Sequence, residues 1–285
     1  KRLVFTPTYP FLKGKTYLVQ YRSDTAVISK KFKVPLAELK ASTTVSNVYP
    51  SAETLPLNIL KFYIVFSEPM AAGFAYDNVF ILDAKNDTLQ DVFLELGEEL
   101  WSTDMKRLTL LFDPGRIKQG LESFDELGYS FKEGETYELI INEKWIDANN
   151  YPLSSNYSKR FSIGNTIATK AGSFQVVDLP ESGSKRPLIL RFDKPHDYAL
   201  LQRTISVLNN EREVMEGDIT ISEFETTWGF TPKVSWNSET YSLRIENILE
   251  DLSGNNLLNT FDVDNRQGKT DFSTEKYRTT EFRIK

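Results

Sequence analysis

The chain has 285 residues, 40% of them hydrophobic and 26% charged, with no cysteine and a formal net charge of −6 from 34 basic and 40 acidic side chains. This length exceeds one ordinary domain and implies two or slightly more, each able to bury its own core. No apolar run approaches the roughly 18–20 residues that cross a bilayer, the absence of cysteine removes disulfides and thiolate chemistry, and the interspersed charges supply no basic block to neutralise phosphates, which excludes nucleic acid as an expected partner.

In chain order, the sequence is a succession of short alternating runs punctuated by Pro, Gly, Asn and Asp, the pattern of strands with one buried face. The first residues already read as strand in Leu3-Val4-Phe5-Thr6-Pro7, followed by Gly14-Lys15-Thr16-Tyr17-Leu18-Val19 and Phe32-Lys33-Val34. No signal peptide precedes them, so the natural N-terminus is expected to lie upstream or to have been removed. A polar joint over Pro35 to Ser42 leads to Phe62-Tyr63-Ile64-Val65-Phe66-Ser67-Glu68-Pro69, a strand that stops at a residue unable to donate a ladder hydrogen bond. Asp91 to Leu100 could hold a turn or two of helix. Leu110-Leu111-Phe112-Asp113-Pro114, Gly134-Glu135-Thr136-Tyr137-Glu138-Leu139 and Phe161-Ser162-Ile163 then repeat the landmarks of the opening segment.

After a second joint, Gly164 to Gly172, the order recurs: Leu188-Ile189-Leu190-Arg191-Phe192-Asp193-Lys194-Pro195, a short helical stretch at Ala199 to Arg203, Trp228-Gly229-Phe230-Thr231-Pro232, Ser238-Glu239-Thr240-Tyr241-Ser242-Leu243 and Phe282-Arg283-Ile284. Self-similarity of this kind predicts an all-β chain of immunoglobulin-like β-sandwiches. The expected division is 1–37 as the trailing strands of a truncated domain whose front half is absent, then complete domains at 43–163 and 170–285. Tyr17, Tyr137 and Tyr241 should occupy equivalent strand positions, with Phe66 and Phe192 facing the cores.

Several of these segments together resemble a known family. Phe66-Ser67-Glu68-Pro69-Met70, Asn78-Val79-Phe80-Ile81-Leu82, Leu108-Thr109-Leu110, Gly134-Glu135-Thr136-Tyr137 and the turn from Asp147 to Leu153 are similar to the bacterial Ig-like domain of the S-layer-protein (SbsA) type. The last copy departs at Pro195-His196 but keeps Asp251-Leu252-Ser253-Gly254-Asn255, which matches that family's Asp-Leu-Ala-Gly-Asn turn. Tyr49-Pro50-Ser51-Ala52, Asp113 to Lys118 and Leu249-Glu250-Asp251 look like segments of exported proteins of environmental and gut bacteria. The resemblance implies a sandwich fold and export to the periplasm, cell surface or exterior. It implies no activity, because such modules serve as spacers, adhesive domains and appendages of surface enzymes.

The residues themselves offer little for catalysis. His196 is the one histidine and follows a strand-ending proline; with no second imidazole and no cysteine, it reads as a loop residue. Glu98-Glu99 and Asp125-Glu126 are paired carboxylates only in sequence, since neighbours in a strand point to opposite faces. Calcium could draw ligands from Glu250 to Asn256 with Asp262 and Asp264, or from Asp147, Asn149 and Asn150. Such residues also bond their own backbone in tight turns, which is the preferred reading. Between Pro114 and Tyr137 the chain carries an insertion of about a dozen residues relative to the other copies, including Phe124, Tyr129 and Phe131; it either caps the sandwich or recognises something. Trp101, Trp145, Trp228 and Trp236 raise a sugar-stacking alternative, with Trp228 in strand alternation and read as core. No catalytic residue, cofactor or metal ligand is assigned. The expectation is a noncatalytic structural or interaction module with a protein or glycan partner at the cell surface, the alternative being a carbohydrate-binding accessory region.

Overall fold

The computed structural model describes residues 4, 11, 15–23, 26–34, 41–117, 122–261 and 276–285. The chain forms two compact units, Lys1–Ser42 and Thr43–Lys285.

In the smaller unit, β1 (Thr16–Arg22) and β2 (Val27–Lys33) form an antiparallel hairpin in which Tyr17 lies opposite Phe32. Ser23 closes the turn, its hydroxyl accepting from the N–H of Ala26 at 3.2 Å. The Phe11 ring packs on Tyr17 and Phe32, with centroids 4.7 and 5.2 Å away. Phe5 falls outside the described residues.

The larger unit holds two sandwiches. In the first, β3 (Val45–Tyr49), β5 (Lys61–Phe66), β8 (Arg107–Leu111) and β7 (Leu100–Trp101) make one sheet in the order β3-β5-β8-β7. Facing it are β4 (Thr54–Pro56), β10 (Tyr157–Gly164), β9 (Thr136–Ile141) and β6 (Val79–Leu82), in the order β4-β10-β9-β6. All pairings are antiparallel except β4 with β10. The second sandwich sets β11 (Phe174–Asp178), β12 (Leu188–Phe192), β15 (Thr227–Pro232) and β14 (Gly217–Ser222) against β13 (Ile205–Leu208), β16 (Thr240–Glu246) and β17 (Tyr277–Arg283). In chain order within that sandwich, its first, second, fifth and fourth strands share one sheet and its third, sixth and seventh the other. That is the strand order of an immunoglobulin constant-type domain, and the first sandwich differs by the extra short strand β4. The fold class expected from the strand pattern is the one observed.

Alternation explains the cores. Phe62, Ile64 and Phe66 of β5 face inward with Leu108 and Leu110 of β8, and opposite them lie Tyr137, Leu139, Ile141, Phe161 and Ile163. Leu188, Leu190 and Phe192 meet Tyr241, Leu243, Ile245 and Phe282 in the same way. The three tyrosines are equivalent in register: Tyr137 pairs with Phe161 and Tyr241 with Phe282, as Tyr17 does with Phe32. The rings stack with centroids 5.8, 6.1 and 5.7 Å apart in chain order. In both sandwiches the hydroxyl also accepts an upstream backbone N–H, Lys132 at 3.0 Å and Asn237 at 2.9 Å, which is the tyrosine corner of this fold. The hairpin of the smaller unit leaves Val19 and Tyr21 exposed at positions where Leu139, Ile141, Leu243 and Ile245 are buried under an opposite sheet.

Two expectations need correcting. Asp91 to Leu100 holds no helical turn. Its backbone crosses from one sheet to the other: Leu89 N–H reaches the Ile81 carbonyl, and Leu94 N–H reaches that of Leu111. Asp125-Glu126 lies on a helix, α2 (Glu122–Leu127), rather than on a strand, with both side chains exposed. Where helix is found it is short: α1 (Ala75–Asn78) and α3 (Tyr198–Leu201), the latter overlapping the stretch expected at Ala199 to Arg203.

The insertion begins with a 3-10 turn, Pro114–Arg116, capped by Asp113, whose carboxylate accepts from Gly115 N–H at 2.8 Å. Arg116 ties its far end down by donating to the carbonyls of Gly128 and Tyr129. Ile117 and Phe131 are buried, and the Phe131 ring packs on Phe112, Tyr137 and Phe161. These parts cap the first sandwich; residues 118–121 lie outside the described set.

Candidate functional site: the joint between the sandwiches

Polar chemistry concentrates where the two sandwiches of the larger unit meet. Strand alternation sends Phe62, Ile64 and Phe66 inward and so turns Lys61 and Tyr63 away from the first core. Tyr63 is nevertheless buried, because the second sandwich covers it. Its hydroxyl donates to Asp197, lying 2.9 and 2.7 Å from the two carboxylate oxygens, and Lys61 Nζ is 2.8 Å from Asp197 and 3.2 Å from Glu250. Asp197 also caps α3, accepting from Leu200 N–H at 2.8 Å. The next residue, Tyr198, stacks on Tyr49 with ring centroids 3.6 Å apart and planes 8° from parallel.

A second contact comes from the turn between β14 and β15. Glu223, Phe224 and Glu225 carry φ of +50°, +58° and +59°, three consecutive residues in a region that L side chains visit only at a cost of roughly 1–2 kcal/mol each. The turn delivers Glu225 to Ser51, whose N–H and hydroxyl donate to its carboxylate at 2.9 and 2.6 Å. Lys159 steadies the same loop by donating to the carbonyls of Ser51 and Ala52.

The third contact is the turn Asp251 to Asn255. Leu60 N–H donates to the Leu252 carbonyl, and Asn58 binds Ser253 Oγ and both backbone groups of Ile167. Leu252 itself belongs to the apolar core of the first sandwich. Gly254 has φ of +75°, and a Cβ there would lie 2.1 Å from Leu60 Cδ1, so both conformation and close approach require glycine. Lys194 holds the connecting segment by donating to the carbonyls of Thr169 and Lys170 while pairing with Asp251 at 2.8 Å.

Burial shapes the ionisation of these groups. Glu225 and Glu250 are pushed above the usual carboxylate range by burial, in spite of Ser51 and Lys61 beside them. Burial holds Lys159 and His196 below their ordinary values. Burial would lower Lys61 too, but the neighbouring Asp197 and Glu250 outweigh it. The Tyr63 phenol is pushed far up by burial and by Asp197.

The other candidates resolve as follows. His196 lies in the connection after β12, as expected of a loop residue, but is wholly buried at the joint because the first sandwich closes over the strand end. Asp147 and Asp251 occupy matching turns. Asp147 accepts from the N–H groups of Asn149 and Tyr151 and from Thr43 Oγ1; Asp251 accepts from Ser253 and Asn255 N–H, the Asn255 side-chain amide and Lys194. These carboxylates act as turn acceptors already filled by donors, the geometry expected of Asp in tight turns; Asp262 and Asp264 lie outside the described residues. Chelation, or excess calcium, is therefore expected to move the melting temperature by no more than about a degree. A shift of many degrees would reveal a cation that binds the native state. Glu99 accepts from Ala75 N–H and from Trp101 Nε1, each at 2.7 Å, while Glu98 stays exposed. Trp145, Trp228 and Trp236 are fully buried and present no open indole face, while Trp101 is partly covered.

No protein-family profile matches the chain, and no curated protein sequence matches it. Among solved structures it is similar to native alpha-2-macroglobulin from Escherichia coli, at 12% identity and a TM-score of 0.27 over 70% of this chain and 13% of that one. The chain thus spans about an eighth of that protein's length. It is also similar to domains 4–9 of the surface layer protein SbsC, at 9% identity and a TM-score of 0.25 over 95% of this chain and 35% of that one. The tandem Ig repeats of Dlar match at 9% identity and a TM-score of 0.23, over 72% of this chain and 88% of that one. The fold assignment rests on strand order, not on these loose likenesses.

Proposed function

We propose that this chain is a noncatalytic structural or interaction module of a secreted or cell-surface bacterial protein, in which 43–163 and 170–285 are Ig-like domains held at a fixed angle and 1–37 are the trailing strands of a further one. The observation that carries this reading is the joint. A flexible tether would have an exposed, hydrated linker. Here the connecting segment is bonded to both sides, a leucine of the second sandwich sits in the core of the first, and buried charges are paired across the contact. Such a joint suits a spacer or adhesive arm that must hold its shape. The buried indoles weigh against the carbohydrate-binding alternative.

Small-angle scattering of the full chain tests this. The part of the profile due to residues 43–285 should fit one fixed arrangement of the two sandwiches from low to moderate salt, because buried pairs are screened little. A profile that demands a broad distribution of angles, or hydrolysis of glycan or peptide substrates by purified protein, would overturn the proposal.

A further inference from the structure

His196 fills, in the second sandwich, the place of Met70 in the first. Each follows a proline three residues beyond the end of a core strand, β5 or β12, and each bridges to the aspartate of the later turn, Met70 to Asp147 and His196 to Asp251. A thioether needs nothing polar in such a place, whereas an imidazole does. Nδ1 of His196 lies 2.9 Å from the Lys194 carbonyl oxygen; a carbonyl only accepts, so Nδ1 carries the proton and Nε2 is the bare nitrogen. Nε2 is buried without a partner. The ring packs on Phe192, centroids 4.4 Å apart, and Tyr49, Pro50, Lys61 and Tyr63 of the first sandwich close over it around a cavity of about 10 Å³.

The charges around it are already engaged. Lys194 is paired with Asp251, and Asp251 accepts from its own turn as well. Asp197 is bound by Lys61 and Tyr63, Glu250 by Lys61, and Glu225 by Ser51. Asp193 adds a nearby negative charge, and the Glu225 carbonyl takes the His196 backbone N–H. These carboxylates favour the charged ring only at a distance, because Nε2 is buried with no hydrogen-bond partner within reach.

We propose that His196 makes the joint acid-labile: the sandwiches stay clasped while its imidazole is neutral, and mild acidification loosens their contact while each sandwich remains folded. This rests on the reading of the joint as a rigid clasp near neutral pH. Opening brings the ring to water, where it titrates at its ordinary value of about 6.5. In the closed joint burial holds it lower, so the closed form is fully favoured above about pH 6.5 and loses ground as pH falls towards the closed-form value. Glu225 and Glu250 act with the opposite sign: burial raises them, so their protonation favours closure, and variants of His196 that keep both carboxylates separate the two effects. The His196 effect is read between about pH 7.5 and 5.5, on either side of the ordinary imidazole value.

The test is amide hydrogen exchange on the full chain, expressed as protection factors at those two pH values. Ser51, Leu60 and Ile167 report on the joint, since their N–H groups are bonded to Glu225, Leu252 and Asn58; the strand amides of β9 and β16 report on the cores. Joint protection should fall at the lower pH by up to about tenfold, the limit set by an imidazole that titrates at its ordinary value only in the open joint, while the cores hold. In His196→Met, the residue the first sandwich uses, and in His196→Gln, which keeps a donor but takes no charge, the fall should vanish. Unchanged joint protection in the wild type overturns the proposal, as does an equal fall in the variants or one shared equally by β9 and β16. Rigid scattering at pH 7.5 keeps the underlying clasp standing even when the pH effect fails.

Discussion

Asp197→Ala should destabilise the larger unit by about 3–5 kcal/mol in urea unfolding, the range for removing one partner of a buried ion pair. The substitution leaves Lys61 with Glu250 alone, strips the Tyr63 hydroxyl of its acceptor in a buried site and uncaps α3. The desolvation cost of the stranded groups, rather than the attraction lost, sets the size. Lys61→Met combined with Asp197→Ala should therefore recover part of the loss, because the stranded ammonium is gone. A single-variant loss below about 1 kcal/mol would mean that the pair sits in a wetter joint than its geometry implies.

Phe66→Ala should cost a similar amount, about 3–5 kcal/mol, by a different route. The ring is buried at the end of β5, 5.1 Å from Trp145 and 5.9 Å from Trp101 between centroids. Two indoles fixed by their own packing cannot collapse into the space, so both the transfer energy and the cavity count against the variant. Exchange protection should drop first in the first sandwich. A loss under about 1 kcal/mol would show that the β5 register places Phe66 away from the core.

The difference between these two sites marks what the sequence discloses. Phe66 was legible because a period of two carries its own arithmetic: once Phe62 and Ile64 face inward, Phe66 must as well. The equivalence of Tyr17, Tyr137 and Tyr241 was legible because three segments repeat the same spacing, whereas their pairing with Phe32, Phe161 and Phe282 depends on strand register that spacing alone does not give. The same arithmetic turns Lys61 and Tyr63 outward and stops there, since periodicity identifies the face away from one core and is silent about a neighbour that covers it. Tyr63 and Asp197 are 134 positions apart, and no local pattern links them. Two signals did bear on the joint: a tyrosine on the outward face of a strand, and the change from Pro69-Met70 to Pro195-His196 in otherwise matching copies. Trp145 and Trp236 stayed ambiguous because they stand in loops, where burial depends on how the chain folds back. Asp91 to Leu100 misled because its mixture of acids and apolar residues serves a crossing between sheets, in which Val92 is buried in the first core and Phe93 packs against it.

Leu252 carries a consequence for how the molecule is made. It lies late in the second sandwich yet packs in the core of the first. A chain emerging from the ribosome presents the strands of the first sandwich long before this side chain exists, and domains otherwise tend to fold in order of synthesis. The earlier sandwich then lacks this apolar cover, supplied only when translation of the later one is nearly finished. The two are thereby joined in time as well as in space, and a nascent chain halted between them would expose an apolar opening for chaperones to guard.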